Sequence, residues 1–286
     1  MTTTILKGMM KMATELKGEN RIQTFKRIAR ELVSETSIHK DVVGIAFLGG
    51  LVRGFADKFS DVDIVVLLAE KNQLLRKRLY DLSSIMQKRF NTDIDLEVHF
   101  LEDFRGQKWD EIDRWEFSKA EIVYDPEGVV KEVFKEKLKL PTNFWTKRVV
   151  ECAEYLKWYC CPPQADVGTV AESWLERGDL SSAHYCLNYA VEVIVRIMFA
   201  INKQHLPAPK WRFFYSYHLE WQPRNYKRLV TDAMKLKSFS MEDFNRRLMA
   251  IRKIWRDIAP KIENETGLST DQLSKYYVEN ILGIRF

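Results

Sequence analysis

The sequence predicts an α/β or α+β sheet domain over residues 1–140, then an all-α helical bundle over residues 141–286. Two observations predict it. Up to about residue 135, short β-branched apolar runs alternate with stretches whose apolar residues recur every three or four positions. After Pro141 the strand patterns stop and helical ones continue almost unbroken. The 286 residues, 46% hydrophobic and 30% charged, suffice for two cores. With 12 Gly and 8 Pro the chain is neither fibrous nor low-complexity.

The elements follow in order. Ile22, Phe25, Ile28, Ala29 and Leu32 form a helical stripe within Arg21 to Leu32. Val42 to Leu48 reads as a buried strand that breaks at Gly49-Gly50, and Val62 to Leu68 as a second one. Leu74 to Phe90 is a helix rich in Arg and Lys. Thr92 to Phe100 alternates, with Asp93, Asp95, Glu97 and His99 on one face and Ile94, Leu96, Val98 and Phe100 on the other. Beyond Pro141, helices are expected at Thr142 to Cys161 and Gly168 to Arg177, and from a cap at Asp179 or Ser181 to about Asn202. That third one is apolar nearly all round and belongs at the centre of a bundle. Ser240 opens a helix over Met241 to Ile258, and Thr270 a final one. Six of the eight tryptophans lie in this half, and most are expected in its core.

No apolar run approaches the roughly 18 residues of a membrane span; Val191 to Ile201 comes closest and contains Glu192 and Arg196. Lys7, Lys11, Glu15 and Lys17 stand at helical spacing where a secretory signal would be apolar. A cytoplasmic chain without a membrane partner is expected, with Cys152, Cys160, Cys161 and Cys186 as free, mostly buried thiols. The net charge of +5 is uneven: residues 1–140 hold 24 basic and 24 acidic side chains, whereas 202–261 hold 14 and 5. Such a stretch suits a polyanion such as a triphosphate or RNA, or is a solubilising face.

One stretch carries chemistry. Gly49-Gly50 lets backbone approach a ligand closely, and a helix starting there would aim free N–H groups at a phosphate. Ten residues later, Asp61 and Asp63 project from one face of a strand. Asp95 or Glu97 on the neighbouring strand would make a third carboxylate. Three carboxylates at one place repel unless cations neutralise them, and Mg²⁺ with phosphate is the natural choice. Paired ions can hold the attacking and leaving oxygens of a phosphoryl displacement. Ser60 is a ligand residue or bonds Asp61 locally; Arg53 meets a phosphate or pairs with Asp57.

The pattern Gly49-Gly50-x10-Asp61-Val62-Asp63-Ile64 resembles the signature of the DNA polymerase β-like nucleotidyltransferase superfamily; Ser60 and Arg53-Gly54 match its common version. Leu96-Glu97-Val98, an acidic segment and Trp109 resemble the aminoglycoside nucleotidyltransferase branch, which pairs its catalytic domain with a helical one. The resemblance implies an α+β fold, a mixed sheet with flanking helices followed by the helical bundle, and Mg²⁺-dependent transfer of a nucleoside monophosphate, most simply AMP from ATP, to an acceptor hydroxyl or phosphate in a cleft between the domains. Gly49 and Gly50 would cradle the triphosphate, and Asp61, Asp63 and Glu97 would ligate two Mg²⁺. Glu97 or Asp95 would deprotonate the acceptor. Leu-Glu-Val favours Glu97, while the simpler superfamily pattern fits Ile94-Asp95-Leu96. Lys210, aimed outward after Pro207 and Pro209, would supply the basic group that related bundle domains offer the nucleotide. The acceptor is open between a small molecule, RNA and protein, with DNA least expected. The competing reading is a catalytically degenerate nucleotide-binding or toxin-antitoxin-like module acting on RNA or a protein. Arg177 with His184, and Arg212 with His218, have the spacing of an RNase pair, a spacing that chance readily produces among 45 basic residues.

Overall fold

The structure, a computed structural model, describes residues 16–164 and 167–284. Lys7, Lys11 and Glu15, which stand at helical spacing in the sequence, lie outside the described residues. The chain divides into two compact units between Lys139 and Leu140.

In the first unit, α1 (Ile22–Thr36) buries the expected stripe of Ile22, Phe25, Ile28, Ala29 and Leu32. Next come β1 (Val42–Phe47), the one-turn helix α2 (Gly49–Arg53) and β2 (Val62–Leu68). Helix α3 (Gln73–Phe90) starts where the Asn72 side chain accepts from Leu75 N–H and ends at left-handed Asn91. Strand β3 (Ile94–Phe100) keeps the expected alternation, with Ile94, Leu96, Val98 and Phe100 buried. After it come α4 (Leu101–Gly106), α5 (Glu111–Phe117), β4 (Glu121–Tyr124) and α6 (Val129–Lys137).

The sheet order is β3-β2-β1-β4. β2 and β3 run parallel, which the crossover through α3 allows, and the other two pairs are antiparallel. The even-numbered residues of β2 (Val62, Ile64, Val66, Leu68) pack with α1 and α3. The odd-numbered Val65 and Leu67 join Phe104, Trp109, Phe117 and Phe134 on the other face, where Trp109 stacks on Phe117 at 4.3 Å between ring centroids. That aromatic cluster holds the short elements α4 to α6. Fully burying each such ring contributes about 1.5–3 kcal/mol.

The second unit is helical: α7 (Phe144–Tyr159), α8 (Val170–Glu176), α9 (Leu180–Ile201), α10 (Pro209–Ser216), α11 (Tyr226–Met234), α12 (Met241–Thr266) and α13 (Thr270–Asn280). Asp179 caps α9 by accepting from Ser182 N–H. Of the 22 residues of α9, 14 are buried, which makes it the centre of the unit as its composition predicts. By length and composition α9 also reaches what a membrane span requires, contrary to the sequence expectation, but 72% of its most apolar window is buried inside the protein. Helix α12 runs past the expected end at Ile258. Pro260 lies on its exposed side, where the carbonyl it leaves unbonded can meet water, while Ile258 and Ile262 stay buried. The tryptophans correct another expectation. None of the six in this unit is fully buried and Trp158 is exposed, whereas Trp109 and Trp115 of the first unit are buried. All four cysteines are free and buried.

Candidate active site

The parallel register of β2 and β3 builds the site. Asp63 stands beside Asp95, and Val65 beside Glu97. Both acids of the first pair project from the sheet face that carries Val65 and Leu67, at the end where the two strands begin. Asp61, just before β2, joins them. One carboxylate oxygen from each of Asp61, Asp63 and Asp95 lies within 4.8 Å of the others, the arrangement a shared cation needs.

Glu97 is not in this group. It sits two residues further along β3, a step of roughly 6–7 Å, and its Oε2 lies 2.8 Å from His99 Nε2. Of the two acids left open by the sequence, Asp95 is the one brought to Asp61 and Asp63. His99 continues the same face and packs its ring 5.1 Å from Phe104.

The diglycine bend shapes the cluster from below. Leu48 N–H donates to the Asp63 carbonyl, which ties the end of β1 to the start of β2. Gly49 adopts φ +53°, and a Cβ there would lie 1.6 Å from Asp63 Oδ2. Glycine is required at this place twice over, by backbone conformation and by the carboxylate that fills the space. A Cβ at Gly50 would lie 3.0 Å from the Phe55 carbonyl oxygen. The bend thus makes room first for the protein's own carboxylate.

Burial pushes the Asp63 carboxyl up to about 7; Asp61 adds repulsion, while Arg53 and a hydrogen bond from Gly50 N–H oppose the rise. Asp95 is raised too, by burial first and then by Glu97 and Asp61. Asp63 Oδ2 is buried and accepts no hydrogen bond from the described residues. A buried carboxylate oxygen with no donor, beside two further carboxylates, fits a divalent cation: the ion supplies the missing positive partner.

The remaining predicted residues fall in different places. Ser60 does not bond Asp61; its hydroxyl donates to Asp57 Oδ1 and accepts from Asp57 N–H, a turn that leads the chain into β2. Arg53 pairs with Glu116 at 3.3 Å, not with Asp57, and both are half-buried or more. Glu116, on α5, carries no motif that sequence reasoning could have used. Lys210 is exposed in the first turn of α10, within the second unit. The RNase-like pairs are occupied structurally. His184 is buried, with Nδ1 2.8 Å from Arg247 and Nε2 3.3 Å from the Ser240 carbonyl. His218 Nδ1 lies 2.7 Å from the Phe214 carbonyl, and Arg212 pairs with Glu192.

Comparison with known proteins bears on this geometry. Residues 22–151 match the nucleotidyltransferase domain family, and residues 112–212 match a domain of unknown function, DUF4037. No curated protein matches. Among solved structures, a nucleotidyltransferase-like protein from Exiguobacterium sibiricum is similar, with a TM-score of 0.41 and 10% identity over 84% of this chain and 77% of that one. A toxin-antitoxin with AMP-PNP is similar over 39% of this chain and 82% of that one, with a TM-score of 0.29 and 15% identity. Four mixed strands, the diglycine bend and the paired aspartates all lie within residues 22–151, the segment that matches the nucleotidyltransferase domain family.

Proposed function

We propose that the protein transfers a nucleoside monophosphate, AMP from ATP in the simplest case, to an acceptor hydroxyl or phosphate oxygen in a Mg²⁺-dependent reaction. The acceptor oxygen bonds to the α-phosphorus, the bond from that phosphorus to the β-bridging oxygen breaks, and pyrophosphate leaves. The gathering of Asp61, Asp63 and Asp95 carries this reading. These three would hold the divalent ions, which supply neutralisation of the phosphate charge and polarisation of the reacting oxygens.

The chain's own contribution is positional. Asp63, locked between the strand and the diglycine bend, fixes one corner of the site. Asp95, exposed and with its carboxyl raised, would take the proton of an acceptor hydroxyl. Three intact acids favour catalysis over a degenerate nucleotide-binding module, which has no evident need of them. The four free thiols suit the cytoplasm as the working compartment.

Incubating the protein and cell extract with α-labelled ATP and Mg²⁺ tests the reading. Wild type is expected to label an acceptor, and Asp63→Ala to do so at least about a hundredfold less. Equal labelling by both proteins, or none by wild type across all four triphosphates, would overturn it.

A further inference from the structure

The helical unit holds a cavity of about 570 Å³, within the roughly 300–1,000 Å³ of small-molecule sites. Tyr155 and Trp158 line it from α7, three residues apart and so on one face of the helix, and Tyr277 lines it from α13. Pro162 and Pro163, just past the end of α7, extend the wall and carry no backbone N–H. Trp158 is 63% exposed, so much of its ring is open to a ligand. The rings are braced by their neighbours. Trp158 meets Tyr159 edge-on at 5.6 Å, and Tyr189 of α9 lies 4.9 Å from Tyr159 and 6.3 Å from Tyr155.

The polar floor of the cavity is closed by folding. Lys157 is buried and spends its three protons on Glu154 Oε1 at 2.8 Å, Ser274 Oγ at 2.8 Å and the Thr270 carbonyl at 3.1 Å. Ser274 in turn donates to the other Glu154 oxygen at 2.8 Å. The charges of Lys157 and Glu154 cancel, and the ammonium keeps no proton for an anionic ligand. Glu151, one turn earlier on α7, bonds Arg148 at 3.3 Å. Burial raises the Tyr277 phenol above its ordinary value; Tyr155 and then the carboxylates of Glu151 and Glu154 raise it further, so the field at its hydroxyl favours positive charge. Aromatic ring faces are themselves negative and attract a cation that can shed its water.

We propose that this cavity binds an organic ammonium ion carrying methyl or other apolar groups, held against the rings of Tyr155, Trp158 and Tyr277. Its apolar groups replace water along the rings and prolines, and its charge meets the ring faces. The proposal does not depend on nucleoside monophosphate transfer.

Choline and 3,3-dimethylbutan-1-ol, which have the same shape and differ in charge, test it. The methyl proton signal of each is titrated with the full chain, Mg²⁺ being in excess so that the acids of the first unit are not the partner of the cation. Wild type is expected to bind choline at least about tenfold more tightly than the alcohol. Trp158→Leu should weaken choline binding about tenfold and leave the alcohol within about threefold, while Trp158→Phe, which keeps a ring, should stay within about threefold of wild type for both. Because Trp158 is exposed, the unfolding midpoints of both variants should match that of wild type. Equal binding of choline and the alcohol would reduce the cavity to an apolar surface and overturn the proposal. So would choline binding unchanged in Trp158→Leu, an equal loss in Trp158→Phe and Trp158→Leu, or no choline binding by wild type.

Discussion

Two clusters of polar side chains, one in each unit, differ in how far folding alone satisfies them. In the bundle, Arg247 is almost fully buried. Its Nε donates to the Ala233 carbonyl at 2.6 Å, Nη1 meets His184 Nδ1 at 2.8 Å and Nη2 donates to Asn188 Oδ1. His184 in turn reaches the Ser240 carbonyl. Every bond in this network closes inside the protein. In the sheet unit, Asp63 is set among two further carboxylates, and one of its oxygens accepts nothing from the described residues. The difference lies in completeness: folding gives every polar group of the first cluster a partner, whereas it leaves Asp63 Oδ2 of the second without a donor among the described residues.

The comparison gives opposite signs for substitutions that look alike. Arg247→Met keeps the volume but strands the Ala233 carbonyl, Asn188 Oδ1 and His184 Nδ1 without their donor. A loss of about 3 kcal/mol in unfolding free energy is expected from urea titration. Asp63→Asn in metal-free protein should instead leave stability unchanged or raised, because it removes a repelled charge. A loss of stability in Asp63→Asn as large as that in Arg247→Met would erase the distinction.

The pH dependence sharpens it further. Asp63 titrates near 7 in the folded protein and near 4 unfolded, so the folded state holds its proton longer. Its favourable contribution is complete below pH of about 4 and is lost as pH rises through about 7, on the order of 4 kcal/mol. Asp243 runs the other way. Backbone N–H groups of Ser238 and Lys237, with Arg246, hold its carboxyl down at about 2, so its stabilisation is present above pH of about 4 and fades toward pH 2. Unfolding midpoints measured in chelator from pH 4 to pH 8 should therefore fall in wild type and lie flatter in Asp63→Asn. Adding Mg²⁺ at pH 8 should return most of the loss.

How far the sequence reaches is clear from particular residues. Strands β1 and β2 are legible as short apolar runs bounded by the diglycine bend and the Asp61-Val62-Asp63 pattern, and β3 by its alternation, because each signal survives in a single segment. The choice between Asp95 and Glu97 is not, because both lie on one face of β3 and only the parallel register with β2 separates them. The partner of Arg53 is also hidden, since Glu116 lies 63 positions away on a helix with no motif. Short elements such as β4 and α4 to α6 escape a periodicity search, as their stability comes from an aromatic cluster assembled across the sheet. Gly49 was legible as a bend, but the atom it makes room for, Asp63 Oδ2, appears only when the strands are paired. Buried His184 shows the converse, a plausible catalytic spacing spent on packing.

The central claim is that Asp61, Asp63 and Asp95, and not Glu97, form one cation site. Titrating Mn²⁺ into metal-free protein at pH 8 tests it most directly, with wild type beside Asp63→Asn, Asp95→Asn and Glu97→Gln. The account predicts binding by wild type and Glu97→Gln at similar affinity, and losses of at least about tenfold in the other two. Binding lost in Glu97→Gln but kept in Asp95→Asn would contradict it.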